Sequence, residues 1–190
     1  MSYWIAIFLG LLQGIAEFLP ISSSGHLVLM QHALHLEPSL FFNVMLHVGT
    51  LASILFYYRL DILRLLGSSL RMVHLLGPHP TQTEEERQTD NALIWGVLVA
   101  TVITAAVAFG LKGFIERMFA TAAGLYLLSL FFLLTAVFLW VIDRSSYGTG
   151  QSLSLWAAAA VGVVQGLAVM PGISRSGSTI VVAMLLGLAR

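Results

Sequence analysis

Residues 10–25 read GLLQGIAEFLPISSSG, and residues 162–177 read GVVQGLAVMPGISRSG. At a constant offset of 152, without a gap, eight of the sixteen positions coincide: Gly10/Gly162, Gln13/Gln165, Gly14/Gly166, Ala16/Ala168, Ile21/Ile173, Ser22/Ser174, Ser24/Ser176 and Gly25/Gly177. Apolar segments match by chance at Leu or Val, but rarely at Gln, Gly and Ser together, so the chain carries an internal repeat. Each copy has an apolar stretch with Gly-x-x-x-Gly, a Pro-containing break, Ser-x-Ser-Gly and further apolar residues. Gly10 with Gly14, and Gly162 with Gly166, are small-residue pairs that let helices approach closely in lipid. The stretches flanking each break are short for full crossings, and paired interrupted segments in two halves point to a membrane protein's binding site. Broken backbone at membrane depth is tolerated only where protein or a water-filled cavity surrounds it. The expected fold is therefore an all-α, polytopic membrane bundle with two re-entrant helix pairs whose tips meet at one polar site.

Composition agrees. Hydrophobic residues make up 58% of the 190 and charged ones 9%, with mean hydropathy +0.90. A soluble domain carries about 25% charged residues. The formal net charge of zero gives no basic field for nucleic acid, and the lack of cysteine excludes disulfides, thiolate zinc sites and cysteine nucleophiles. Residues 1–190 read as one integral membrane domain, with repeat 1 over about 1–58 and repeat 2 over about 153–190. The apolar stretches are Tyr3–Leu19, Ser22–Leu36, Leu40–Tyr58, Ala92–Leu111, Ala120–Ile142, Leu153–Met170 and Ile173–Leu188. The first has no basic leader or small-residue cleavage site and is not read as a signal peptide. Residues 59–91 read as an aqueous loop, with an interfacial amphipathic helix over Leu60–Leu76. Arg59, Arg64, Arg71, Arg87 and Arg144 fall on one side, against Lys112 and Arg117 in a 112–118 loop on the other. That imbalance places the long loop in the cytoplasm.

The polar residues at the breaks define the candidate site. Gln13 and Glu17 stand four apart on one helix face, and a carboxylate inside a span costs about 2.5–3.5 kcal/mol on insertion scales. The bland reading of Glu17 is an interfacial carboxylate facing water. Ser22, Ser23 and Ser24 follow Pro20, where a helix start aims free N–H groups and a positive dipole end at the break, a geometry that binds phosphate. Ser23 and His26 then share a face, the general layout of an activated nucleophile; a serine-rich cap beside a hydrogen-bonded histidine is the plainer reading. In the second copy Ser174 and Ser176 flank Arg175, which takes the place of Ser23, while Val169 takes that of Glu17. Arginine is the planar, permanently charged clamp for phosphate. One copy thus supplies carboxylate and hydroxyls and the other a cation, which defines a membrane-embedded phosphate site. Glu17, with Gln13 as partner, would hold a divalent cation, Mg²⁺ or Ca²⁺, completed by phosphate oxygens and water. His47 and Thr50 fall in a third stretch that either lines the same cavity or is structural.

The runs Gln13-Gly-Ile-Ala-Glu17-Phe-Leu-Pro-Ile-Ser-Ser-Ser-Gly-His26 and Pro171-Gly-Ile-Ser-Arg-Ser-Gly177 resemble the two signature motifs of the undecaprenyl-diphosphatase family, the bacitracin-resistance type. The resemblance extends over the whole chain. It implies an inner-membrane, multi-pass hydrolase that converts undecaprenyl diphosphate to undecaprenyl phosphate and phosphate, recycling the lipid carrier of cell-wall synthesis. It further implies inverted repeats as in transporters and an active site open to the periplasm. By position it assigns Ser23 as nucleophile, His26 as its histidine, Gln13 and Glu17 as the metal-binding pair and Arg175 as the phosphate-binding arginine. The residues alone do not choose Ser23 over Ser22 or Ser24. Gln13 stands where the family also uses Glu, leaving one charge fewer for a metal. The resemblance also implies further spans after the second motif, so that repeat 2 is expected to be cut short at Arg190. Expected partners are the polyprenyl diphosphate, membrane lipid and a second copy of the chain. Attack by activated water competes with a phosphoserine route, and a transporter or flippase of anions or lipid phosphates is the alternative from another class.

Overall fold

A computed structural model describes residues 2–37, 39–73, 83–119, 123–144 and 153–188. Among the described residues it is all-helical: α1 (Tyr3–Phe18), α2 (Ser23–Ala33), α3 (Leu40–Tyr57), α4 (Arg59–Met72), α5 (Glu84–Phe119), α6 (Ala123–Asp143), α7 (Leu155–Leu167) and α8 (Arg175–Leu185). Local sequence starts and stops them. Ser2, Ser39 and Ser154 accept the N–H of Ile5, Phe42 and Ala157 at the starts of α1, α3 and α7. Thr83 and Glu86 form a reciprocal capping box before α5. Leu19, before Pro20, is extended, as the proline ring requires, and α1 ends there.

Three helices are long and apolar enough to cross a membrane: α3, α5 and residues Ala123–Val141 of α6. Their apolar windows are at most 17% buried inside the chain, and side chains such as Phe109, 78% exposed, would be untenable in water. The chain is a multi-pass membrane protein. At 1.5 Å per residue, the 11-residue α2 and α8 are about 16 Å long. Neither alone crosses a hydrocarbon core of about 30 Å.

The second Gly-x-x-x-Gly pair seats α7 closely against α5. A methyl on Gly162 would lie 2.8 Å from the Ala100 carbonyl oxygen, and one on Gly166 would lie 2.6 Å from Val107 Cβ. Thr104 Oγ1 donates to the Gly162 carbonyl across this α5–α7 contact. The first pair behaves otherwise. Gly10 meets only the Leu46 side chain, at 3.8 Å, and Gly14 has nothing within 4 Å, so the expected close approach is made by one copy alone.

Two loop expectations are corrected. Residues 112–118 are not a loop, because α5 runs through them to Phe119; proline-free LKGFIERMF continues the helix despite Gly113. The 59–91 stretch is largely helical, with 74–82 outside the described residues. The helix expected within it is present as α4, and part of its polar side packs inward. Its Arg64 and Ser68 turn onto α5, where both bind Asp90, at 2.8 Å each, and Asp90 is 1% exposed. Leu60, Leu63 and Leu66 are exposed, as are Arg59, Asp61 and Arg64. The loop expected over 143–152 falls mostly outside the described residues.

Candidate active site

The two breaks touch reciprocally. A methyl on Gly25 would come within 3.0 Å of the Gly172 backbone, and one on Gly177 would come within 3.1 Å of the Pro20 carbonyl oxygen. At the repeat offset of 152, Gly25 corresponds to Gly177 and Pro20 to Gly172, so each copy presents the same glycine to the same turn of the other. This pairing is that of a two-fold contact.

Beside it lies a cavity of about 360 Å³. The end of α1 contributes Glu17, the start of α2 Ser22, Ser23 and Ser24, and the start of α8 Ser174, Arg175 and Ser176. α3 adds His47 and α7 adds Gln165. Carboxylate, hydroxyls and guanidinium from opposite halves thus line one space. One Glu17 oxygen, Oε2, accepts both from Gln13 Nε2 at 2.8 Å and from Ser23 Oγ at 2.5 Å. Gln13 is 1% exposed and sits behind the carboxylate. Arg175 is exposed, and its guanidinium forms no ion pair with a described residue.

The two copies build their helix starts differently. Ser174 is a conventional N-cap: its Oγ accepts the Gly177 N–H at 3.0 Å and lies 3.3 Å from Ser176 Oγ. Ser22 adopts a left-handed conformation, φ 66°, with no side-chain cap. Its hydroxyl is buried without a partner, as is Gln13 Oε1. A non-glycine residue in that region costs about 1–2 kcal/mol, and such strain clusters at functional sites.

His26 is not among the residues lining the cavity. Its Nδ1 donates to the Ser22 carbonyl at 2.9 Å and its ring meets Phe132 edge-on at 4.8 Å. The Ser23 hydroxyl is directed to Glu17 rather than to the histidine three residues on. Thr50 is buried against the His47 carbonyl and is outside the lining, whereas His47 is in it.

Sequence reasoning missed Thr135. This α6 residue is 5% exposed; its Oγ1 donates to the Gly172 carbonyl at 3.0 Å and accepts the Ser174 N–H at 3.1 Å. It fixes the turn that carries Arg175. A threonine in an apolar helix ordinarily bonds back to its own turn, so nothing in the local sequence announces partners 37 and 39 residues away.

A polytopic helical membrane protein with a carboxylate–serine pair and an arginine converging on one cavity belongs to the class of membrane-embedded phosphate-handling proteins. Residues 6–190 match the model of the bacitracin resistance protein BacA family, and the chain belongs to that family. It is 43% identical over 189 residues to the undecaprenyl-diphosphatase of Methanosphaera stadtmanae, covering 97% of this chain and 67% of the relative. It is 42% identical over 189 residues to that of Desulfosudis oleivorans, with the same coverage. The protein of that name in Methanobrevibacter smithii is 36% identical over 185 residues, 96% of this chain and 66% of the relative. The chain spans about two thirds of the length of these relatives.

Proposed function

We propose that the chain hydrolyses undecaprenyl diphosphate to undecaprenyl phosphate and inorganic phosphate. The observation that carries this reading is the Glu17–Ser23 pair in a cavity that Arg175 also lines. The polyprenyl tail stays in lipid while the diphosphate enters the cavity. Arg175 and the serine-rich helix starts hold its oxygens, as N–H groups and dipole ends do for anions elsewhere. Glu17 takes the Ser23 proton as Ser23 Oγ attacks the terminal phosphorus. Charge held in place before the reaction, rather than covalent chemistry, carries most of the acceleration. His26 supports the attack by holding the Ser22 carbonyl, and with it the turn that presents Ser23.

A divalent cation fits this donor set only as a guest shared with substrate. No group of three or more His, Asp or Glu side chains able to hold a metal occurs among the described residues. Glu17 is the one carboxylate lining the cavity, with Gln13 buried behind it, and Mg²⁺ is commonly held by one or two carboxylates plus phosphate oxygens. Such an ion would neutralise charge on the diphosphate. The short α2 and α8 and the reciprocal contact of the breaks support a pair of re-entrant, two-fold-related hairpins. In this reading they are inverted across a bacterial inner membrane, with the cavity facing the periplasm.

The test is phosphate release from a polyprenyl diphosphate by the purified protein in detergent or liposomes. Turnover by the wild type and its loss in Glu17→Gln, Ser23→Ala and Arg175→Ala are expected, with a further loss on chelation. Lipid translocation that survives Ser23→Ala, without phosphate release by the wild type, would establish a flippase instead.

A further inference from the structure

We propose that His47 of α3, outside both motifs, is the second proton-transfer group of the site and serves the leaving group. The inference rests on the hydrolysis proposed above. Three ionisable side chains line the cavity: Glu17, His47 and Arg175. Cleavage of the diphosphate is speeded by removing one proton from the nucleophile and by delivering one to the departing oxygen. Arginine keeps its protons. The Glu17 oxygen Oε2 already receives the Ser23 hydroxyl and the Gln13 amide. The remaining transfer falls to His47, the one cavity-lining imidazole among the described residues. Its Nδ1 donates to the Asn43 carbonyl at 2.8 Å, which fixes the ring and leaves Nε2 as the exchanging nitrogen. The charged groups facing it are Glu17 from α1 and Arg175 from α8. Those of α4, Arg59, Asp61, Arg64 and Arg71, belong to a helix that begins beyond the end of α3 far from His47.

The protons balance over two half-reactions. Ser23 Oγ bonds to the terminal phosphorus, its proton passes to Glu17, and the bond from phosphorus to the bridging oxygen breaks. The electron pair goes to that oxygen, which receives the Nε2 proton of the His47 imidazolium. Water then attacks the phosphoserine and gives its proton to the now neutral Nε2. The phosphorus–Oγ bond breaks, Glu17 returns its proton to Ser23, and phosphate leaves with both side chains restored.

The test compares His47→Gln with wild type across pH, using polyprenyl diphosphate and phosphate release, and checks folding by the thermal unfolding midpoint. Glutamine keeps a polar group near Nε2 but carries no titratable proton. The wild-type kcat is expected to fall on the alkaline side. His47→Gln should lower kcat by about 10²–10⁴-fold, abolish that limb and leave KM within a few-fold. His47→Asn, equally unable to carry the proton, should give the same flat profile if the glutamine variant unfolds early. A folded His47→Gln with wild-type kcat and an intact alkaline limb, alongside an inactive Arg175→Ala, would overturn the role of His47 and leave the hydrolase standing. Absence of phosphate release by the wild type would overturn the hydrolase and the role together.

Discussion

Ser22 carries two costs that the fold does not need: a left-handed backbone and a buried hydroxyl with no partner. Glycine at this position removes both. Ser22→Gly is expected to stabilise the protein by about 1 kcal/mol, read as a higher unfolding midpoint in detergent. A drop in midpoint would show that the hydroxyl has a structural partner instead. The neighbouring residues behave differently. Gln13 and Glu17 were readable as a pair from their spacing, and the 2.8 Å bond between them is what that spacing allows. The Ser23–His26 spacing was equally visible but does not describe the hydrogen bond formed. Helical periodicity fixes which residues share a face. It does not fix which of two acceptors a hydroxyl on that face will choose, and here the carboxylate across the break takes it.

At the scale of helices, the repeat predicts that equivalent glycines do equivalent work, and the packing divides them. A methyl on Gly166 collides with Val107 Cβ and approaches the Thr104 carbonyl oxygen, whereas one on Gly14 meets nothing within 4 Å. Gly166→Ala should therefore lower the unfolding midpoint and Gly14→Ala should raise or preserve it, since alanine gains about 1 kcal/mol of helix propensity. Small-residue spacing states that a close approach is allowed; it does not name the helix that uses it. Thr135 makes the same point from the other side, because its role depends on α6 reaching the second break. Thr135→Val would leave the Gly172 carbonyl and Ser174 N–H buried and unpaired, a penalty of about 1–3 kcal/mol for each. The expected result is weakened substrate binding through a displaced Arg175, with Thr135→Ser restoring KM. Equal losses in valine and serine variants would assign Thr135 to packing alone.

For the molecule as a whole, the question is whether two halves far apart in sequence present one site to one side of the membrane. The repeat makes the two breaks legible as partners, and the apolar stretches locate most helix ends to within a few residues. The α4–α5 junction was not legible: Asp90 looks like a loop residue in a charged sequence, yet it is buried by Arg64 and Ser68 brought from 26 and 22 positions away. The reciprocal contact of Gly25 with Gly172 and Gly177 with Pro20 holds the two helix starts to a single cavity, and α5, with 36 residues, is about 54 Å long. It exceeds a hydrocarbon core of about 30 Å, so its Thr83 end and the cavity are separable by a reagent that does not cross lipid. The chain has no cysteine, which leaves single introduced thiols as clean reporters. Ser24→Cys and Ser176→Cys should both react with an impermeant maleimide from the periplasmic side, both should be shielded by inorganic pyrophosphate, and Thr83→Cys should react from the cytoplasmic side. Labelling of positions 24 and 176 from opposite sides would mean that the two halves do not share a cavity in the membrane. Labelling of both from the cytoplasm would keep the shared cavity and reverse the orientation.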